Sequence, residues 1–516
     1  MESAADPAIN SYLHRIRSMT TTTRYLLIFL PAMTCSWILF KCCYPFADFF
    51  NDSYTYIQAA ADHDLINYRP IGYSFFLRLV HGVSKSDTVL VTVQYVLVQS
   101  SCLALFFFLR RCCHPARWVE VLVAVFLVLD PAVYYISNYV SSDALFIALG
   151  LFWFTLLLRL VRAPSWWGLI GQWVLLILIF YTRYVALFYP IVAAVAFLLV
   201  RRDLIFKLTA IAGSFAVVAA GAAITRQITK AETGAPVFSA FGGWQIANNA
   251  LQIYPWVPVD TSDWSSPACL DLARYADRYF EHAGAGIKKN PQGATTAYMW
   301  ERDLPLHQFL NDYRKSHSVL RQLPDTGRLS YFVAWNRVAP LFSQYGYSLL
   351  RRHPMAFSRY FLFPSAKAFF FPPLDEFAVY NEGKKDVDPV ARDWFGYGST
   401  RPAVRSATIQ AAILAPFPWL FLLLNLGFLL SAAVYFLRRD LCAGNPGFTV
   451  CLKLAAAYSL ANACFTIFAS PSVFRYQVLP LILLFIFTVY SLFFVSFYQS
   501  VNGKTIRPCP TKQPTK

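Results

Sequence analysis

Ten runs of apolar residues, each close to the length that crosses about 30 Å of hydrocarbon, constrain this chain more than any other feature of it. They fall at about 25–46, 88–109, 118–137, 142–161, 165–182, 184–200, 208–225, 408–437, 448–469 and 476–498. Lipid offers backbone polar groups no partner, so segments of this kind fold as helices whose hydrogen bonds close internally. The expected fold class is an all-α polytopic membrane protein with about ten transmembrane helices. Of 516 residues 57% are hydrophobic and only 14% charged, a composition outside the range of soluble domains. A water-soluble enzyme is excluded.

Orientation follows from the Lys and Arg at the junctions. Arg15, Arg17 and Arg24 precede the first run; Arg110, Arg111 and Arg117 follow the second; Arg159 and Arg162 follow the fourth; Arg201, Arg202 and Lys207 follow the sixth. Arg438 and Arg439 follow the eighth, and Lys504, Arg507, Lys512 and Lys516 follow the tenth. With ten crossings every group lies on one side, predicted to be cytoplasmic, and nine or eleven crossings break the agreement. The same distribution argues against nucleic acid as a partner. Of the net +17, a surplus of five lies within 226–405, and the rest sits among the apolar runs and tails.

The expected organisation is a cytoplasmic tail (1–24), a seven-span module (25–225) with a first extracytoplasmic loop at 47–87, a large and mainly helical extracytoplasmic domain (226–405), a three-span module (406–499) and a cytoplasmic tail (500–516). The first run is read as a retained span. It is long, and it meets Lys41-Cys42-Cys43 instead of a small-residue cleavage site. Within the large domain, helix-like stretches stand at 269–283 and 328–352, and Cys269 is its one cysteine, so no internal disulfide holds it. The other cysteines lie mostly in or beside spans at spacings unlike a zinc site, which suits packing. The proline-broken stretch 354–373, with Arg359 and Lys367 among aromatics, suits either a helix in the headgroup layer or a buried helix of the outer domain.

Ionisable groups within apolar runs are costly and are functional candidates by default. Asp130 lies about a dozen residues into the third run, Asp143 opens the fourth, Arg183 stands between the fifth and sixth, and Arg475 precedes the tenth. All four are nearer the outer face, and together they predict a polar cavity opening outward. Asp130 before Pro131 also fits a capping device at a kink. A transporter calls for midplane polar groups and internal symmetry, and neither is found. There is no phosphate-binding Gly-rich loop and no Gly-x-Ser-x-Gly.

In the first outer loop Asp48 and Asp52 are four apart and would share one helical face, although Asp52 also fits a helix cap. Pro70 after Arg69 fits a first helical turn. Asp62-His63-Asp64 reads as a solvated helix end more readily than as a metal-binding Asp-x-Asp pattern, and the Asn51-Asp52-Ser53 glycosylation pattern as chance.

The ordered set of residues resembles the GT-C superfamily of membrane glycosyltransferases, in the branch of the protein O-mannosyltransferases and the lipid A aminoarabinose transferases. The resemblance is carried by Asp52 with Tyr56 after the first span, Arg69-Pro70-Ile71-Gly72-Tyr73, Ser142-Asp143 opening the fourth span, Thr182-Arg183-Tyr184, and Arg475-Tyr476-Gln477-Val478-Leu479-Pro480. The family usually has Glu where Asp143 stands and often a second acidic residue where this chain has Ser53.

The resemblance implies a GT-C-like fold and an enzyme of a bacterial inner membrane, working on its periplasmic side. Such an enzyme passes a sugar with inversion from a polyprenyl-phosphate donor to an extracytoplasmic lipid, glycan or protein. Asp52 would be the catalytic base, and Arg69, Arg183, Arg475, Asp143, Tyr56, Tyr73 and Asp48 would bind substrate. No cofactor is called for, and a divalent metal is not favoured. The alternatives are a polymerase or ligase of lipid-linked glycans, and a transporter or flippase of a lipid-linked substrate.

Overall fold

The computed structural model describes residues 21–260, 264, 266–289, 295–317, 320, 328–469 and 472–502. Nearly all of the two predicted tails lies outside them. Among the described residues the chain is helical without a β-strand; the one bridge pairs Asp48 with Tyr139. Eight helices are long and apolar enough to span a membrane: Thr22–Cys43, Asp87–Cys113, Arg117–Asn138, Ser142–Arg162, Leu204–Thr233, Ile409–Leu437, Pro446–Ala469 and Phe474–Ser496. The other two predicted spans are shorter apolar helices, Trp166–Thr182 and Tyr184–Leu199. The chain is an all-α, multi-pass membrane protein.

Contacts sort the helix ends into two groups and bear on the number of passes. At one end Glu120 takes a hydrogen bond from Tyr25 and an ion pair from Arg110, Trp118 meets Phe493, Gly447 approaches Cys112, and Trp166 meets Phe206. At the other, Asp48 meets Tyr139 and Gln410, Asp87 binds the Ala47 amide, and Arg183 and Arg475 meet Asp143. Each of the ten helices, the two shorter ones included, runs between these groups. The described basic junctions at 110–117, 159–162 and 438–439 therefore gather at the first end. Side chains such as Leu39, Leu208, Leu430 and Leu437 are left exposed on the flanks, as lipid-facing positions should be.

The outer segment after Thr233 divides in two. Helices at Ala240–Ile253, Pro267–Lys289, Pro305–Ser316 and Arg328–Arg352 form a core of their own, in which the Trp244 and Trp335 rings stack at 3.7 Å. Helix 240–253 can lie this close to helix 328–352 because Gly243 faces the Ala339 carbonyl, where a Cβ would stand 2.1 Å from the oxygen. Residues from about 375 onward behave differently. Phe377, Tyr380, Ala391 and Phe395 are buried in the core of the spanning bundle. The predicted single unit 226–405 is thus one small domain followed by a strap laid on the bundle. The stretch 354–373 forms helical turns at Pro354–Phe370, with Phe369 against Phe421 of the eighth span and Met355 and Phe363 exposed.

Candidate active site

Four chain breaks at the second end of the bundle deliver charged side chains to one place. Ser141 caps the fourth span, its Oγ accepting from the Asp143 amide, so Asp143 stands in the first turn, where the helix dipole favours a carboxylate. The fifth span stops at Arg183, whose extended backbone (φ −153°) leads into a 3-10 turn. Arg475 lies on a similar turn at the head of the tenth span, tied to the outer segment by the Phe474 amide and the Pro373 carbonyl (2.8 Å). Arg69 precedes helix Gly72–Val83. A Cβ at Gly72 would stand 2.6 Å from the Tyr181 carbonyl oxygen, so glycine lets this loop press against the end of the fifth span.

The result is a chain of ion pairs. Arg69 Nη2 donates to Asp52 Oδ1 at 2.7 Å, and Arg475 Nη2 lies 3.9 Å from Asp52 Oδ2, beyond hydrogen-bond reach. Arg475 also faces Asp143 and Glu376 at 3.5 Å, and Arg183 is hydrogen-bonded to Asp143. Three guanidinium groups thus meet three carboxylates, which offsets the desolvation cost of burying them. Aromatic faces complete the shell. Phe241 and Trp300 lie about 5 Å from the Arg69 guanidinium, Phe50 4.4 Å from that of Arg475, and Tyr476 close to both Arg183 and Arg475. The Tyr56 and Ser142 hydroxyls are 3.0 Å apart, and burial raises the Tyr56 phenol above its ordinary range.

All of these residues except Glu376 and Trp300 line a cavity of about 290 Å³. Sharing Tyr68, Arg69 and Tyr184 with it is an apolar cavity of about 530 Å³ walled by Phe75, Leu79, Leu145 and Leu178. Of that wall, Leu79 and Leu178 are exposed, so it opens sideways.

Six of the eight predicted site residues come together here: Asp52, Tyr56, Arg69, Asp143, Arg183 and Arg475. Two do not. Tyr73 is fully buried and donates to Gln94 Oε1 (2.7 Å), whose amide donates in turn to the Ser137 and Tyr139 carbonyls. It holds helices together and lines neither cavity. Asp48 precedes helix Asn51–Ala61, so it does not share a helical face with Asp52. It is 2% exposed and accepts from the Asn381 amide (2.7 Å) and the Gln410 side chain (3.4 Å) of the strap. The expected fourth member of the outer level, Asp130, is also buried and accepts from the Ala132 amide as the cap of helix Pro131–Asn138, the capping alternative. Asp52 stands in the first turn of its helix, after an N-cap at Phe50.

Four contributors to the shell escaped the sequence: Phe50, and from the outer segment Phe241, Trp300 and Glu376. The acidic pair Asp375-Glu376 after Pro372-Pro373 was the available signal for the last. Among the described residues no cluster of three or more His, Cys, Asp or Glu could hold a metal ion, and Asp62, His63 and Asp64 form none. The chain matches no protein-family model, no curated protein sequence and no solved structure.

Proposed function

We propose that this chain is a membrane glycosyltransferase that moves a sugar from a polyprenyl-phosphate donor to an acceptor outside the cytoplasm, with inversion. One observation carries the reading: the Asp52 carboxylate sits beside Arg69 and Arg475 where a polar cavity meets an apolar, laterally open one. Transfer breaks the bond from the anomeric carbon to the phosphate oxygen and forms one to the acceptor oxygen. As the acceptor hydroxyl attacks, its proton passes to Asp52, a step that a positioned carboxylate accelerates by about 10²–10⁴. Protonation removes the charge that Asp52 offers Arg69. The guanidinium is then free to turn to the leaving phosphate, whose negative charge grows at the same moment and matches its two-point geometry. The prenyl chain lies along Phe75, Leu79, Leu145 and Leu178.

The site belongs on the extracytoplasmic face, in a bacterial inner membrane the periplasmic one, because the described basic junctions gather at the opposite end of the bundle. A lipid-linked glycan polymerase or ligase has no need of Asp52. Transport is disfavoured by the filling beneath the site, where Trp153, Tyr189 and Tyr458 are at most 2% exposed.

The test uses purified protein in proteoliposomes with a panel of polyprenyl-phosphate sugars and an extract of envelope lipids and glycans, guided by mass spectrometry of envelopes with and without the gene. Asp52→Asn is expected to lower sugar transfer about a thousandfold while thermal stability stays near wild type. Retained transfer rejects the assignment.

A further inference from the structure

The polar cavity around Asp52 has a second neighbour. It also runs into an apolar cavity of about 910 Å³, sharing Leu187, Gly242, Gln245 and Phe465 with it. This second cavity is walled by the sixth and ninth spans, and the wall residues Ile191 and Leu460 are 54% and 67% exposed, so it too opens sideways at the level of the spans. Its described lining contains no charged residue. The first cavity, in contrast, has Arg69 at its mouth.

At the junction of the polar and the second apolar cavity stands Gln245, only 5% exposed. Its Nε2 donates to Asn249 Oδ1 at 2.8 Å, and Asn248 Nδ2 donates to the same oxygen at 3.2 Å. Asn249 is oriented by its own Nδ2, which donates to the Phe468 carbonyl (3.3 Å). The network therefore fixes which way the Gln245 amide faces, and it leaves Gln245 Oε1 buried with no hydrogen-bond partner among the described residues. A buried acceptor without a donor costs free energy. A donor brought by a ligand would recover it.

We infer that the second cavity admits the acceptor, and that the acceptor is a membrane amphiphile with an uncharged, hydroxyl-bearing head. This rests on the glycosyltransferase reading and narrows its acceptor to a lipid-borne one. The apolar chain lies between the sixth and ninth spans, one hydroxyl of the head donates to Gln245 Oε1, and another reaches Asp52. The second cavity brings no cation of its own to an anionic head, and the three of the polar cavity, Arg69, Arg183 and Arg475, are taken by the donor's phosphate.

The probe is an alkyl glucoside with a diazirine in its chain, photolysed in proteoliposomes of neutral phospholipid, with labelled peptides mapped by mass spectrometry. Labelling is expected on the sixth and ninth spans and about fivefold above that by the same chain with a phosphate head. Gln245→Leu should lower it five- to tenfold, the worth of one buried hydrogen bond. Gly242→Leu should lower it as well by filling the junction, since a Cβ there meets nothing within 4 Å and the side chain starts out into open space. In parallel, stabilisation by farnesyl phosphate reports the donor side, and it should be lost in Arg69→Ala but kept in Gln245→Leu. Glucoside labelling that falls elsewhere, or that both variants leave unchanged, overturns the inference. Failure of farnesyl phosphate to stabilise the wild type overturns the transferase reading instead, while the lipid site stands on the labelling.

Discussion

Asp48 and Asp52 stand four residues apart in one loop, yet the fold surrounds them in opposite ways. Asp52 opens onto a cavity and is met by two guanidinium groups. Asp48 is sealed between the bundle and the strap; it accepts hydrogen bonds from the backbone amide of Asn381 and the side chain of Gln410, and no ion pair to it is formed among the described residues. Burial pushes its carboxyl up to about 7 against those two hydrogen bonds, which pull the other way. A carboxylate faced by cations and open space is set up for chemistry. One faced by neutral donors and packed aromatics fastens a segment in place. The strap that Asp48 holds is the one that carries Glu376 to Arg475, so the second carboxylate acts on the first from a distance.

The sharpest way to break this contrast is to neutralise each carboxyl in turn. The thousandfold loss expected for Asp52→Asn should have no counterpart in Asp48→Asn, which keeps an acceptor for the Asn381 amide and should transfer sugar within about threefold of wild type. Equal losses would mean that the two are one site. Next in size is Arg475, which faces three carboxylates at 3.5–3.9 Å with its side chain 10% exposed. Arg475→Ala should reduce turnover with the lipid-phosphate donor about a hundredfold and also lower Tm, because Asp52 and Asp143 are left with one cation each, Arg69 and Arg183, and Glu376 loses the cation it faces. Arg475→Lys should restore most of the Tm and little of the turnover, since an ammonium supplies charge without two-point geometry. Full recovery by Lys would reduce Arg475 to a counter-ion.

The spans were legible because an apolar run of about twenty residues has few ways to fold; eight of the ten expected are long enough to cross, and the other two are shorter apolar helices. The charged members of the site were legible for a related reason: Asp143, Arg183 and Arg475 interrupt runs that otherwise exclude charge. The same logic misplaced Asp130, since a carboxyl before Pro131 caps a helix as readily as it lines a cavity. Sequence could not separate Asp48 from Asp52, because what distinguishes them is a strap more than 300 residues further along. Tyr73 was misread because its neighbours Arg69 and Gly72 belong to the site and a tyrosine gives no sign of which way it points. Gln245 drew no notice at all; an amide becomes informative only when its partners are counted.

Removal of the Asp48 side chain should be felt in stability. Asp48→Ala leaves the Asn381 amide without its acceptor and Gln410 with the Phe377 carbonyl alone, at about 1–3 kcal/mol for a buried group, which corresponds to a Tm fall of several degrees. Transfer should weaken alongside as Glu376 loses its place, and a thermal melt of Asp48→Asn near wild type would assign the loss to the missing acceptor and not to the missing acid.

The smallest expected effect is also the one that separates the two carboxyls by chemistry alone. Asp48 titrates near 7 in the folded protein and near its ordinary 3.8 when unfolded. Between those values the folded state binds the extra proton, so stability falls as pH rises, and by the top of the window the contribution is gone. Below about pH 4 both states are protonated and it is fully present. Other groups titrate in the same range, so the measurement is a difference: wild-type Tm minus Asp48→Asn Tm, followed from pH 4.5 to 7.5. That difference should decline by a few degrees across the window and then level off. A flat difference would mean that Asp48 is ionised in place, and the strap would then have to be held against a buried charge by the Asn381 amide and Gln410 alone.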